Sequence, residues 1–247
     1  MSKRRKDPGE MKKWLPPDKL ESFQKNLLAW YHIHQRDLPW RRPENMTPYR
    51  ILVSEIMLHQ TQVQTVIPVY EKFLERFPTI ETLAKAPLEE IKAITDGLGY
   101  KIRGKWLKEI AEIIIEKNQG KIPQTLDELQ KLPGVGRYTA GAILSFAFQN
   151  DAPIVDVNVE RVLSRVFGAN KTEFQSPAKY QHLMWEFAHR VIPPQKGFIF
   201  NQAIMDFGAL ICIARSPRCS VCPMRPICIY YKNHPQQLSM DQFFDSS

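Results

Sequence analysis

An all-α protein is what this sequence predicts, on three observations. Through the first half of the chain apolar residues recur at helical spacing, helix starts and stops carry capping residues and Pro-Gly punctuation, and no strand pattern intervenes. The stretch that organises the rest is residues 132–162, LPGVGRYTAGAILSFAFQNDAPIVDVNVERV. Thr125 opens a helix with a capping box to Glu128, and that helix stops at Pro133-Gly134. LPGVG makes the turn, with Gly134 and Gly136 allowing dihedrals and a close approach that side chains forbid. A second helix starts near Arg137, and its outward N–H groups make the corner an anion site; a plain packing corner is the competing reading.

Size and charge bound the classes. With 247 residues and 43% hydrophobic content, the chain can build a packed core as one large domain or two small ones. A net charge of +8 favours a polyanionic partner, although it also fits ribosomal, membrane-surface and merely soluble proteins. Apolar runs such as residues 142–148 are far too short to span a membrane. Residues 1–13 carry KRRK and KK without an apolar stretch behind them, so they are not a secretory signal and an intracellular, membrane-free monomer is expected. That arm reads as a solvated tail, a nuclear address or a DNA-touching segment. All four cysteines fall between positions 212 and 228, which excludes a disulfide framework spread over the fold.

Taken in order, Leu20, Phe23, Leu27, Leu28 and Tyr31 mark an amphipathic helix from Leu20 to Ile33. Trp40 and Arg41 follow in a Pro- and Arg-rich loop, either lining a cleft or simply packing on proline. Over Arg50 to about Thr61, the residues Ile51, Leu52, Glu55 and Leu58 share one face. A glutamate inside an apolar stripe loses its charged form to desolvation, which suits a general acid; a structural glutamate paired with arginine is the alternative. Thr79 and Pro87 start short helices, the second ending at Asp96-Gly97. Leu98-Gly99-Tyr100 reads as an exposed turn, followed by Lys101, Arg103, Lys105 and Lys108 around Trp106, a base-stacking tip or just a solvated basic face.

Beyond the hairpin, the strand-like run IVDVNV holds Asp156 just before a helix that Asn158 can cap. The helix dipole and N–H donors favour the carboxylate of Asp156, so Glu55 and Asp156 resemble an acid and an anionic stabiliser; a second capping residue without chemistry is the competing reading. His182, Trp185 and His189 are expected to pack. Then Cys212-X6-Cys219-X2-Cys222-X5-Cys228 suits a cubane cluster at least as well as zinc, with Arg215, Arg218 and Arg225 making a basic surface on its loops. In the polar tail, Gln237, Met240, Phe243 and Phe244 either dock into a partner or fold back.

These segments together resemble the helix-hairpin-helix DNA glycosylase superfamily over residues 20–230, and within it the MutY-type adenine glycosylases. LPGVGRYTAGAI is similar to the family hairpin, IVDVNVERVLSRVFG to its catalytic aspartate segment, LVSEIMLHQTQV to its catalytic glutamate helix, and the cysteine spacing to its [4Fe-4S] signature. The resemblance implies an N-terminal arm and helix over 1–42, a six-helix barrel over 43–150, a cluster domain over 151–232 and a flexible tail over 233–247, with DNA across a cleft. It implies that Glu55 protonates an extruded base, that Asp156 stabilises the sugar cation, and that Cys212, Cys219, Cys222 and Cys228 hold a [4Fe-4S] cluster. Tyr138 stands where bifunctional relatives such as endonuclease III carry a lysine nucleophile, which implies base release without strand cleavage. Gln60, Leu98 and Tyr100 would meet the base stack, Gly134, Val135, Gly136 and Asn158 the backbone, and Arg215 and Arg218 nearby phosphates. Trp40, Arg41, Val63 and Gln202 match an adenine pocket, Gln202 offering a donor and an acceptor to a purine edge. The implied substrate is double-stranded DNA with adenine opposite guanine or 8-oxoguanine; a thymine or uracil mismatch glycosylase and a non-catalytic DNA-binding module are the alternatives. His59 stands for the first glutamine of the family's QQT, and Val157 for a common glycine. The lesion-reading C-terminal domain of MutY-type enzymes is expected to be missing, and the tail resembles the peptide by which repair proteins bind the sliding clamp. The expected compartment is the cytoplasm with its nucleoid, or the nucleus in a eukaryote.

Overall fold

The computed structural model describes residues 14–169, 171–174 and 176–234, and among these every regular element is helical. The chain divides into two compact units, one from Asp37 to Ala152 and the other formed by the chain up to Arg36 together with the chain from Pro153 onward.

In the middle unit, α2 (Pro48–Leu58) is the central helix, after α1 (Pro17–His34) of the other unit. Thr47 caps it by accepting from the Arg50 amide, and all seven residues from Ile51 to Met57 are buried, so α2 is enclosed rather than amphipathic. It packs on α3 (Val63–Arg76), α6 (Ile102–Asn118) and α8 (Arg137–Phe148). Two short helices, α4 (Ile80–Lys85) and α5 (Leu88–Thr95), lie against α6. Both start where the sequence signals place them, at Thr79, which forms a capping box with Thr82, and at Pro87. The last pair is α7 (Leu126–Leu129), the turn 130–136 and α8, which is the expected helix-hairpin-helix. Glu128 does reach back to Thr125, but to its hydroxyl, which donates to the Glu128 carboxylate over 2.7 Å.

In the other unit, α1 packs on α11 (Gly197–Leu210), and α11 on α9 (Val157–Phe167). Helices α10 (Pro177–Val191) and α12 (Ile229–Asn233) flank α9. Edge-on aromatic contacts bind the core, with Phe23 5.1 Å from Phe167 and Phe167 5.1 Å from Phe187. Gly208 is required by a close approach: a Cβ there would sit 2.9 Å from that of Asn158, so only glycine lets α11 and α9 meet. Asp206, fully buried, accepts from the Arg36 amide at 3.0 Å and its Nε at 2.8 Å. The IVDVNV run is not a strand, because its backbone ladder groups find no partner strand and α9 begins already at Val157. Trp185 packs inside as expected, whereas His182 and His189 are exposed and His182 lies 3.5 Å from Glu186 on the surface.

Candidate functional site

In the middle unit the hairpin is built against a tryptophan. Gly134 has φ of +72°, and a Cβ there would lie 2.4 Å from the Trp106 ring, so both conformation and space demand glycine. Gly136 is the N-cap of α8 with no side chain over the helix end, and Tyr138 follows half-buried in the first turn. Val135 is buried, so at Gly134–Gly136 it is the backbone that is offered outward.

Trp106 also meets Tyr100 edge-on at 5.6 Å and His59 at 6.1 Å. His59 Nε2 lies 2.9 Å from Thr139 Oγ1 on α8. Burial pushes the His59 imidazole below its ordinary range, and the Arg103 guanidinium pushes in the same direction. Arg103, read from sequence as part of a basic face, is fully buried instead. Its guanidinium donates to the carbonyls of Leu98 (3.1 Å) and His59 and to Thr61 Oγ1. A basic residue among lysines carries no sequence signal of burial; only carbonyls arriving from a distant loop reveal it. Two residues stay exposed at the tips this arginine binds: Gln60, at φ of +54°, and Tyr100. Leu98, expected at the base stack, is buried, so its side chain belongs to the core.

Glu55 sits in the enclosed stretch of α2 and is 5% exposed, which fits the desolvated carboxyl expected from the stripe. Trp40 is buried in a 3₁₀ turn (Pro39–Arg41) and meets Tyr70 edge-on at 5.5 Å, with Arg41 half-buried next to it. Val63 opens α3 and is half-buried.

In the other unit, Asp156 rather than Asn158 is the N-cap of α9. One carboxylate oxygen accepts from the amides of Asn158 at 2.9 Å and Val159 at 2.8 Å, and the other accepts from the Asn158 side chain at 2.8 Å. A carboxylate two residues earlier satisfies two orphan amides, which an Asn158 cap would leave to solvent. Arg161 then donates to Asn158 Oδ1 and the Gly208 carbonyl, each at 2.8 Å, and to the Cys212 carbonyl at 2.7 Å, tying the cap to the cysteine segment. Val157 is largely exposed and its φ is not positive, so nothing in the backbone demands glycine at this position. Gln202 is buried, and its Oε1 accepts from the Tyr31 hydroxyl at 3.1 Å.

Cys212, Cys219, Cys222 and Cys228 line one pocket together with Val166, Phe207, Ile211 and Met224. Burial pushes the Cys222 thiol up to about 12 and raises that of Cys228. Arg165 Nη1 lies 3.6 Å from Cys212 Sγ and donates to the Ile213 carbonyl at 2.7 Å. Four soft donors around one apolar pocket fit a thiolate-bound metal centre. Among the described residues no three His, Cys, Asp or Glu side chains are placed to hold a single metal ion. Arg215, Arg218 and Arg225 are exposed on the surrounding loops. No helix among the described residues is long and apolar enough to cross a membrane.

Residues 53–190 match the family described as HhH-GPD superfamily base excision DNA repair protein. The chain belongs to that family. A relative in Rattus norvegicus named adenine DNA glycosylase is 43% identical over 216 residues, covering 84% of this chain and 41% of its own length. The thymine/uracil-DNA glycosylase of Pyrobaculum aerophilum is 37% identical over 215 residues, covering 85% of this chain and 92% of its own. The solved structure of a thermostable thymine-DNA glycosylase superposes with a TM-score of 0.80 at 35% identity, over 87% of this chain and 98% of that one. This HhH-GPD chain therefore spans less than half of the rat protein it matches and nearly all of the two shorter relatives.

Proposed function

We propose that the chain is a monofunctional DNA glycosylase that hydrolyses the N-glycosidic bond of adenine mispaired with guanine or 8-oxoguanine. The observation that carries this reading is the 43% identity to the rat adenine DNA glycosylase across 84% of the chain. Glu55, a buried carboxyl, acts as the general acid that gives a proton to the adenine ring, which turns the base into a neutral leaving group. Asp156 stabilises the positive charge that develops on the sugar, and a water completes the hydrolysis. With tyrosine at position 138 no amine attacks the sugar, so the product is an abasic site in an intact strand. The hairpin backbone at Gly134–Gly136, Asn158 and the exposed Arg215 and Arg218 hold phosphates, while Gln60 and Tyr100 enter the base stack. Trp40, Arg41 and Val63 on the middle unit, and Gln202 on the other, are the residues we assign to recognising the base. The Tyr31 hydroxyl donates to one lone pair of the Gln202 oxygen, which fixes the amide while its nitrogen and the second lone pair stay available to a base edge.

The four cysteines would hold a [4Fe-4S] cluster, a reading supported by the Cys212-X6-Cys219-X2-Cys222-X5-Cys228 spacing and by the pocket the four share. When bound, the cluster cross-links residues 212–228 into one loop. Gln237, Met240, Phe243 and Phe244 lie outside the described residues, and we assign them to sliding-clamp binding on sequence alone. Deleting residues 237–247 should abolish clamp binding and spare excision from short duplexes; clamp binding that survives would end this assignment.

A thymine or uracil mismatch glycosylase is the second reading, favoured by the near full-length match to the Pyrobaculum protein. Duplexes carrying A, T or U opposite guanine and 8-oxoguanine separate the two. Adenine release is expected; thymine or uracil release without adenine would replace the first reading with the second, and binding without any release would leave a DNA-binding module.

A further inference from the structure

Gln60 and Tyr100 are exposed tips on different elements, one after α2 and one before α6. Between them lies Arg103, fully buried, whose two terminal nitrogens bind the Leu98 carbonyl, the His59 carbonyl and Thr61 Oγ1, while its Nε is buried without a partner. Thr61 Oγ1 in turn donates to the Leu98 carbonyl at 3.1 Å. Among the described residues no carboxylate pairs with this guanidinium. A buried cation held by neutral oxygens and by the Tyr100 ring 5.6 Å away, with no carboxylate against it, is costly by itself, so what it secures is geometry. It fixes Gln60, which has a left-handed backbone, between two anchored neighbours, and it fixes the turn leading to Tyr100. Trp106 extends the same body to the hairpin through its contacts with Tyr100, His59 and Gly134.

We propose that Arg103 is a positioning residue that couples Gln60 and Tyr100 into a single two-pronged wedge, so that both tips enter the base stack as one preformed element. The proposal rests on the reading of Gln60 and Tyr100 as residues that meet the stack. Such coupling requires a rigid fork, because an arginine bonds oxygens from both tips at once, whereas a lysine ammonium on a flexible stem would not hold both. Preformed geometry lowers the ordering cost of inserting two side chains while a base is extruded.

The test is a double-mutant cycle of Gln60→Ala and Tyr100→Ala on affinity for an A·G duplex, with a 2-aminopurine beside the mispair reporting unstacking. In the otherwise native protein the two losses should be non-additive by about threefold or more. In an Arg103→Lys background the losses should become additive within about twofold, and the 2-aminopurine signal should fall although the duplex still binds. Arg103→Gln, which removes the charge and the fork together, carries the test if Arg103→Lys fails to fold. Additive losses in the native background, or coupling that persists in the Arg103 variant, would overturn the wedge. Adenine release measured alongside keeps the two readings apart. Release without coupling defeats the wedge alone, coupling without adenine release defeats the adenine reading alone, and failure to bind the duplex defeats both.

Discussion

Asp156 caps α9 through a bond of 2.8 Å to the Val159 amide, so the carboxylate proposed to stabilise the sugar also starts the helix. The two duties separate by substitution. Asp156→Asn keeps a good capping oxygen and loses the charge, so stability should change by less than about 1 kcal/mol. Excision should nevertheless fall on the order of 10²-fold or more. Asp156→Ala should lose both, with an added cost of about 1 kcal/mol. Thermal melts beside single-turnover excision check this, and an Asn variant of native activity would remove Asp156 from the chemistry.

Glu55→Gln retains the shape of a side chain that is 5% exposed and removes its ability to act as an acid. Single-turnover excision should drop by about 10²-fold or more while duplex affinity holds. A rate within a few fold of the native value would leave Glu55 a structural residue.

At Gly134 an added methyl meets both a positive φ and the Trp106 ring at 2.4 Å. Gly134→Ala should therefore cost about 1–3 kcal/mol in a urea melt and weaken duplex binding. The native protein's affinity should fall steeply with salt, as phosphate contacts require. An unchanged melt would show that the ring moves aside at little cost.

His59 gives a pH dependence whose sign follows from its burial. The folded protein holds the imidazole below its ordinary value near 6.5, so the unfolded chain takes up the proton first as pH falls. This contribution is full above about pH 6.5 and is lost as pH drops below that toward the folded value. Between about pH 7 and 5, the melting temperature of the native protein should fall more steeply than that of His59→Gln. Parallel curves would mean that His59 titrates alike in both states.

Metal analysis of anaerobically purified protein should give iron and acid-labile sulfide with visible absorbance, and substituting Cys222 should lower both. A colourless protein containing zinc would replace the cluster assignment.

How far the sequence was legible follows from what each signal measures. Periodicity and caps place α1 and the starts of α4, α5 and α7, because these depend on local chemistry. Glu55 was legible for the same reason, since a carboxyl in an apolar stripe is buried wherever the stripe goes. The IVDVNV run misleads because β-branched residues just before a helix have the same letters as a short strand. Arg103 was hidden because its partners lie across a turn and a helix end, and nothing in a run of lysines marks the residue that turns inward. Tyr31 as the partner of Gln202 was equally out of reach, being a contact between residues 171 positions apart.

The contact between Trp106 and the hairpin gives the protein its own optical probe. Of its five tryptophans, Trp14, Trp30, Trp40 and Trp185 are all less than 10% exposed, at 3%, 7%, 6% and 9%, while Trp106 alone is half-exposed. The long-wavelength edge of the intrinsic emission therefore belongs mainly to the indole that touches Gly134 and Tyr100. Unlabelled protein can be followed at that edge as DNA is added, and the reporter sits against the turn proposed to hold the phosphates.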